Sequence, residues 1–159
     1  ARRAAAFRMT VVYHNRTPKP EAEMVCDARY CATLGELLQI ADIVSLHCPL
    51  TEQTRNLIDA NALSKMKSGA VLINTARGAV VDETALSDAL IQGKIAGAGL
   101  DVFLTEPGVG EHLTSLDNVL LSPHVGTATT ETRDEMGLRV IENIKAFLST
   151  GQPRDKVER

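Results

Sequence analysis

Cysteine is scarce in this chain of 159 residues, and the few cysteines present do not form the pattern of a disulfide framework. Cys26, Cys31 and Cys48 are odd in number and include no closely spaced pair of the kind that ligates a metal. Reduced thiols are typical of proteins that stay inside the cell. The sequence therefore argues against a secreted disulfide-stapled domain, gives no sign of a metal site and favours a cytoplasmic protein.

Long apolar runs and an excess of basic charge are also missing. No stretch approaches the roughly 20 apolar residues that cross a bilayer, and Ala1 to Phe7 lack the apolar region of a signal peptide. The formal net charge of -3 gives no general attraction for nucleic acid or for an anionic membrane surface. We expect a globular domain that binds neither.

What the chain does have is a series of short, continuous apolar runs that alternate with helical patterns. The runs are Thr10 to His14, Ile43 to Leu46, Ala70 to Ile73, Ala98 to Val102 and Val119 to Leu121. Such runs are typical of strands buried in a parallel sheet. Their alternation with helices predicts an α/β protein with a doubly wound parallel sheet.

Helix boundaries can be read at several places. Thr33 with Glu36 is a capping-box pattern, and Asp82 is a good N-cap for a helix that Gly93 would end. A final long helix carries an apolar stripe, after which residues 152–159 look like a frayed polar tail. The stripe consists of Met136, Val140, Ile144 and either Phe147 or Leu148. It could cover the sheet or dock on another domain, and the pattern alone leaves both possibilities open.

Three polar side chains follow predicted strands of the second half. Arg77, Glu106 and His124 offer a cation, a carboxylate and an imidazole. Because the carboxyl ends of parallel strands meet at one edge of a sheet, we expect the three to share that edge. This is the usual place for the chemistry of an α/β enzyme.

The first predicted strand ends where a dinucleotide fold reads the adenosine ribose, at Asn15, Arg16 and Thr17. An acid there would accept a hydrogen bond from the ribose and repel a 2′-phosphate, but no acid lies between Thr10 and Lys19. Arg16 and its neighbours could instead bind that phosphate, which favours NADP over NAD. The alternative is an exposed turn whose arginine contacts only water.

The glycine-rich turn of a dinucleotide fold is missing from its expected place. The residues that open the chain, Ala1 to Phe7, look like the end of the helix that follows such a turn. Gly97 and Gly99 lie inside a predicted strand and are a poor substitute. We expect an N-terminally truncated fold without its first strand and glycine-rich loop.

In its ordered motifs the sequence resembles the D-isomer-specific 2-hydroxyacid dehydrogenases, and within them the glyoxylate and hydroxypyruvate reductases. The likeness spans nearly the whole chain. The motifs are His47 to Thr51 with Thr54, Leu57 and Ile58; Asn74 to Gly78; Gly99 to Phe103 with Glu106 and Pro107; Ser122 to Gly126; and Glu131 to Arg133. The resemblance implies a Rossmann-type nucleotide-binding domain, incomplete here, over residues 1–125. It also implies that residues 126–159 cross over and dock on a substrate domain absent from this chain, and we expect a homodimer at full length.

The resemblance also assigns roles to the site residues. Arg77 binds the 2-oxo acid, His124 is the acid-base residue and Glu106 is the partner of that histidine. Asp101 orients the nicotinamide carboxamide, and Cys48 is a wall of the cofactor pocket rather than a nucleophile. The implied cofactor contacts are Asn15, Arg16, Thr17, Cys48, Pro49, Thr54, Thr75, Ala76, Arg77, Asp101, His124 and Gly126.

The expected activity is NADPH-dependent reduction of glyoxylate or hydroxypyruvate to the D-2-hydroxy acid, with NAD as a possible cofactor. Protonated His124 would neutralise the charge that develops on the substrate oxygen, and Glu106 would favour that protonated form. Formate dehydrogenases of this superfamily carry glutamine in place of Glu106, so the glutamate argues for a 2-oxo acid reductase. Phosphoglycerate dehydrogenases usually have an acid after the second strand, where this chain has Arg16. Two alternatives stay open: a non-catalytic nucleotide-sensing protein of the same fold, and an inactive fragment of the enzyme.

Overall fold

The computed structural model describes residues 1–157 and divides the chain into two compact units, Ala1–Pro123 and His124–Arg159. The sequence placed this boundary between residues 125 and 126. The elements of the first unit are α1 (Arg2–Ala6), β1 (Val12–Tyr13), α2 (Pro20–Cys26), β2 (Arg29–Tyr30), α3 (Leu34–Ile40), β3 (Ile43–Leu46), α4 (Ala60–Ser64), β4 (Val71–Asn74), a 3₁₀ turn (Gly78–Val80), α5 (Glu83–Ile91), β5 (Gly97–Leu100), α6 (Glu111–Thr114) and β6 (Val119–Leu121). The second unit contains α7 (Thr130–Thr150).

All the strands pair in parallel, as the sequence predicted, and they form two sheets. One sheet pairs β1 with β2, and the other has four strands in the order β3-β4-β5-β6. Each neighbouring pair in the larger sheet is joined by a connection that contains a helix, which is the expected βαβ arrangement. Among residues 1–157 no strand joins the two sheets, so the predicted doubly wound sheet is present in two parts.

The register of the larger sheet puts the ends of its strands in one row. Leu46 pairs with Asn74, Asn74 with Leu100, and Leu100 with Leu121. The segments that follow these four residues therefore all leave the sheet at the same edge. The segments that follow β4 and β5 and carry Arg77 and Glu106 therefore start from this common edge.

Local sequence signals account well for the helices around the larger sheet. Thr33 and Glu36 form the predicted capping box at α3, and the Asp82 side chain accepts a hydrogen bond from the Ala85 amide at the start of α5. Gly93 follows α5 with a φ of 64°, which suits glycine. The apolar faces of these elements form one core, whose largest fully buried side chains include Leu38, Ile58, Leu63, Leu72, Leu86, Ile95 and Leu113.

The smaller sheet was harder to predict. The apolar run at residues 10–14 gives a strand of only Val12–Tyr13, and its partner Arg29–Tyr30 was not predicted. A two-residue strand shows no alternation in the sequence, and Arg29 is exposed. Helix α2 was missed as well, although Pro20 at its first turn is a recognised start signal.

The second unit is a long helix with a short tail against it. Helix α7 has no buried residue within its unit, and it ends at Gly151 with a φ of 76°. Beyond it, Asp155 accepts hydrogen bonds from Arg139 at 2.5 and 3.0 Å and from Asn143 at 2.9 Å. The prediction of a frayed tail was therefore wrong at Asp155, and its last two residues, Glu158 and Arg159, lie outside the described residues. Within residues 1–157, no helix combines the length and the hydropathy that a membrane span requires.

Candidate active site

Asn74 shapes the turn that carries Arg77. Its side chain is 1% exposed, its Oδ1 accepts a hydrogen bond from the Ala76 amide at 3.0 Å, and its Nδ2 donates to the Arg77 carbonyl at 3.0 Å. The Asp101 amide donates to the Asn74 carbonyl at 3.0 Å. Asn74 therefore holds its own turn and ties that turn to the end of β5. Sequence reasoning gave Asn74 no role, although an asparagine that bonds the backbone two residues on is a common turn signal.

Arg77 extends from this turn to the protein surface. The residue is exposed, and its Nη1 donates to the Ala76 carbonyl at 2.6 Å. Thr75 is exposed as well, whereas Ala76 is half-buried. A guanidinium in this position presents a planar fork of donors that matches a carboxylate or a phosphate.

The loop after β5 carries Glu106 and is held by its own backbone and by α5. Glu106 Oε1 accepts a hydrogen bond from the Phe103 amide at 2.8 Å. Glu83, whose side chain is 11% exposed, accepts a hydrogen bond from the Leu104 amide, and its Oε2 lies 3.9 Å from His112 Nε2. Glu83 thus fixes the segment that begins this loop. It was not among the predicted site residues, because only its place as the first residue of α5 could be read from the pattern.

The segments of Arg77 and Glu106 are in direct contact. Gly78 lies against the backbone of Phe103 and Leu104, with no space for a side chain at that point. The turn after β4 and the loop after β5 therefore pack on each other. The first unit brings together two of the three predicted catalytic segments.

The segment after β3 lies beside the Arg77 turn. The Asn56 amide donates to the Ala79 carbonyl at 2.9 Å, and the Ile58 amide donates to the Val80 carbonyl at 3.1 Å. Thr54 closes the loop before them, because its hydroxyl donates to the Pro49 carbonyl at 2.7 Å. Cys48 is a half-buried free thiol in this loop, and Pro49 is exposed.

Asp101 is linked to the end of β6. The Ser122 hydroxyl donates to Asp101 Oδ1, and the Ser122 amide donates to the Leu100 carbonyl at 2.9 Å. Asp101 is half-buried. The hydroxyl fixes the orientation of the carboxylate, and the sequence had given Ser122 no role of its own.

His124 and Gly126 belong to the second unit, which is described by itself. His124 opens that unit and is exposed, with a φ of 53° in the left-handed region. A left-handed conformation is uncommon for a residue with a side chain. Its role and its pairing with Glu106 remain predictions.

The turn at residues 15–17 is the part of the chain whose side chains can be compared with the 2′-phosphate of NADP. Arg16 is exposed, and the Asn15 side chain donates to the Thr17 carbonyl at 3.2 Å, which closes the turn. The turn offers a guanidinium and a hydroxyl, with no carboxylate between Thr10 and Lys19 to repel a phosphate. These donors fit a 2′-phosphate on the adenosine ribose.

Comparisons with known proteins agree with this geometry. A glyoxylate reductase of Thermococcus litoralis is 48% identical over 159 residues, which cover 100% of this chain and 48% of the relative. One from Pyrococcus furiosus is 50% identical over 147 residues, covering 92% of this chain and 44% of the relative. The chain thus spans about half the length of the curated relatives it matches.

A solved structure shares the fold closely. The NADPH-dependent glyoxylate/hydroxypyruvate reductase of Sinorhizobium meliloti, in complex with NADP and malonate, superposes with a TM-score of 0.93 at 42% identity. The match covers 98% of this chain and 48% of that protein. Residues 1–126 also match the family described as D-isomer specific 2-hydroxyacid dehydrogenase, NAD binding domain. The fold is therefore the predicted Rossmann type, and the chain belongs to the D-isomer specific 2-hydroxyacid dehydrogenases.

Proposed function

We propose that the protein containing this chain reduces a small 2-oxo acid, glyoxylate or hydroxypyruvate, to the D-2-hydroxy acid with NADPH. The observation that carries the proposal is the backbone contact of Gly78 with Phe103 and Leu104, which puts the segments of Arg77 and Glu106 side by side. The activities named for the relatives support the substrate class. The exposed Arg16 supports the choice of NADPH.

In this proposal Arg77 anchors the substrate. Its guanidinium pairs with the carboxylate of the 2-oxo acid or polarises the oxo group through paired donors. The Asn74 side chain holds the backbone of this turn at the Ala76 amide and at the Arg77 carbonyl. The anchor is therefore preorganised, and orientation of this kind supplies a large part of the acceleration in many enzymes.

His124 donates the proton in this proposal, and Glu106 favours the charged form of the imidazole. NADPH held at the turn of Arg16 would supply the hydride that the carbonyl carbon takes up. The imidazolium gives its proton to the carbonyl oxygen, so that the product is a neutral alcohol. Asp101, oriented by Ser122, would accept a hydrogen bond from the carboxamide of the nicotinamide and so orient that group.

The test is turnover by the full gene product that contains this chain. NADPH oxidation is followed with glyoxylate, with hydroxypyruvate and with no acid added, and each assay is repeated with NADH. We expect steady turnover that depends on the acid and a higher kcat/KM with NADPH than with NADH. Cofactor binding without turnover would favour a nucleotide-sensing protein, and a clear preference for NADH would contradict the role of Arg16.

Two further predictions concern the whole protein. We propose a cytoplasmic location, for which three free thiols are the support. We also propose a homodimer, which follows from the resemblance to the family. Light scattering on the purified gene product measures its mass in solution, and a monomer would contradict the second prediction.

A further inference from the structure

The turn that carries Arg16 is fastened at both ends by tyrosine hydroxyls. Tyr30, on β2, donates to the Asn15 carbonyl at 3.2 Å. Tyr13, on β1, accepts a hydrogen bond from the Lys19 amide at 2.6 Å. Arg16 lies between these two attachment points and takes part in neither hydrogen bond.

The two tyrosines support each other. Their rings lie 5.4 Å apart between centroids and are tilted by 59°, a favourable arrangement for aromatic pairs. The Tyr13 hydroxyl also donates to Glu23 Oε1 on α2 at 2.7 Å. Burial raises the pKa of Tyr13 above its ordinary value of 10.0, which is in keeping with a hydroxyl that donates to a carboxylate.

His14 completes the support on the side of β2. Its Nδ1 lies 3.0 Å from the Cys31 carbonyl, and its ring stacks on that of Tyr30 at 6.4 Å between centroids. The backbone on the N-terminal side of Arg16 is thus tied to β2 and the residue after it by the side chain of His14, just before the turn, and by that of Tyr30. An exposed arginine on an otherwise untethered turn would have to be ordered each time it bound a ligand.

We propose that Tyr30 and Tyr13 are positioning residues that set the preference for NADPH, because their hydroxyls hold the turn in which Arg16 meets the 2′-phosphate. The proposal rests on the phosphate-binding role of Arg16. It goes further in naming residues that act through the turn and thereby govern which cofactor binds. The ligand chemistry concerned is a phosphate monoester on a ribose 2′-oxygen.

The first experiment measures binding without catalysis, using the full gene product. The probes are adenosine 2′,5′-bisphosphate and AMP, which differ by the 2′-phosphate, and calorimetric titration gives both dissociation constants. Tyr30→Phe removes one hydroxyl and keeps the ring packed. We expect it to weaken binding of the bisphosphate by about three- to tenfold and to leave AMP binding within about twofold. Tyr13→Phe is a second variant with the same expected direction.

The matched control is Thr10→Val, which also deletes a hydroxyl but at an exposed position before β1. It should leave both dissociation constants unchanged. In steady-state kinetics, Tyr30→Phe should raise KM for NADPH. It should leave KM for NADH, and kcat with either cofactor, nearly unchanged. A residue with a merely structural role would affect the two cofactors equally, so an equal effect overturns the proposal.

A double-mutant cycle separates this inference from the function on which it rests. In an Arg16→Gln background, Tyr30→Phe should cause no further loss of bisphosphate binding, because the guanidinium that it positions is gone. If the loss persists in that background, the proposal is overturned. If Arg16→Gln weakens bisphosphate binding and Tyr30→Phe does not, only this proposal falls. If Arg16→Gln itself has no effect, the phosphate-binding role of Arg16 falls with it.

Discussion

Gly78 and Phe103 meet backbone to backbone. A Cβ atom on Gly78 would lie 1.9 Å from the carbonyl carbon of Phe103, 2.0 Å from its oxygen and 2.4 Å from the Leu104 nitrogen. The obstacles are backbone atoms, so no change of rotamer could relieve the overlap. Glycine is required here by close approach, and the turn of Arg77 and the loop of Glu106 are fixed relative to each other at this point.

Replacement of Gly78 by alanine should therefore disturb stability and activity together. We expect Gly78→Ala to lower the free energy of unfolding by about 1–3 kcal/mol or more, which is the range for overpacking of a well-packed site. Movement of either segment away from the other would also lower kcat/KM. Denaturant unfolding and kinetics of the full gene product with glyoxylate measure the two effects.

The control for this change is Gly69→Ala, in the exposed turn before β4. A Cβ there would meet nothing within 4 Å, so we expect a change within about 0.5 kcal/mol. Equal behaviour of the two variants would contradict the close approach at Gly78.

The sequence predicted the larger sheet well because its strands are short apolar runs and several of its helices begin at recognisable caps. Residues 71–73 of β4 and Val119–Leu121 are continuous apolar runs, and the side chain of Asp82 caps α5 as expected. The smaller sheet escaped because Arg29–Tyr30 is too short to show a period. Prediction from pattern thus succeeded where a continuous apolar run or a cap marks the element in the sequence.

For the candidate site, the sequence predicted the main residues but not the side chains that support them. Motif order predicted Arg77 and Glu106 as site residues, but the side chains that hold their segments could be found only in the structure. Glu83 acts on a loop some twenty residues later in the chain, and Tyr30 acts on a turn that precedes it. Contacts between distant positions leave no periodic signal in a single sequence, and for this reason the positioning residues were missed.

Glu83 should affect catalysis through the loop of Glu106. Glu83→Ala removes the acceptor of the Leu104 amide, whereas Glu83→Gln keeps an oxygen that can accept it. We expect the alanine variant to lose about tenfold or more in kcat/KM, given the usual cost of removing a hydrogen bond to a charged group, and the glutamine variant to lose less. Hydrogen exchange at the Leu104 amide should increase in the same order.

The neighbouring Thr84→Ala is a suitable control, since Thr84 is exposed on the same helix turn. It should leave both the kinetics and the exchange at Leu104 unchanged. Full activity in Glu83→Ala would show that the loop keeps its place without this carboxylate.

The tail after α7 should detach in acid. Hydrogen bonds from Asn143 and then Arg139 lower the pKa of Asp155 below its ordinary value of 3.8. A lowered folded-state pKa means that the attachment is fully present above the ordinary value and is lost as pH falls through the lowered one. The Arg139 Nε–H resonance, whose proton is donated to Asp155 at 2.5 Å, should report this loss in an acid titration.

Asp155→Asn should remove that acid transition and shift the Arg139 resonance already at neutral pH. Asp134→Asn changes an exposed carboxyl of the same helix and should leave the transition in place. An unaltered titration in Asp155→Asn would mean that another carboxylate holds Arg139.

The proposed pairing of Glu106 with His124 can be tested by charge alone. Glu106→Gln keeps an oxygen that can accept from the Phe103 amide, so the loop should stay in place while the negative charge is lost. His124 would then lose the group proposed to favour its protonated form. We expect the alkaline fall of kcat/KM for glyoxylate reduction to move to lower pH. Glu111→Gln is the control, because it removes an exposed charge farther along the connection between β5 and β6 and should leave the pH profile in place. An unmoved profile in Glu106→Gln would refute the pairing.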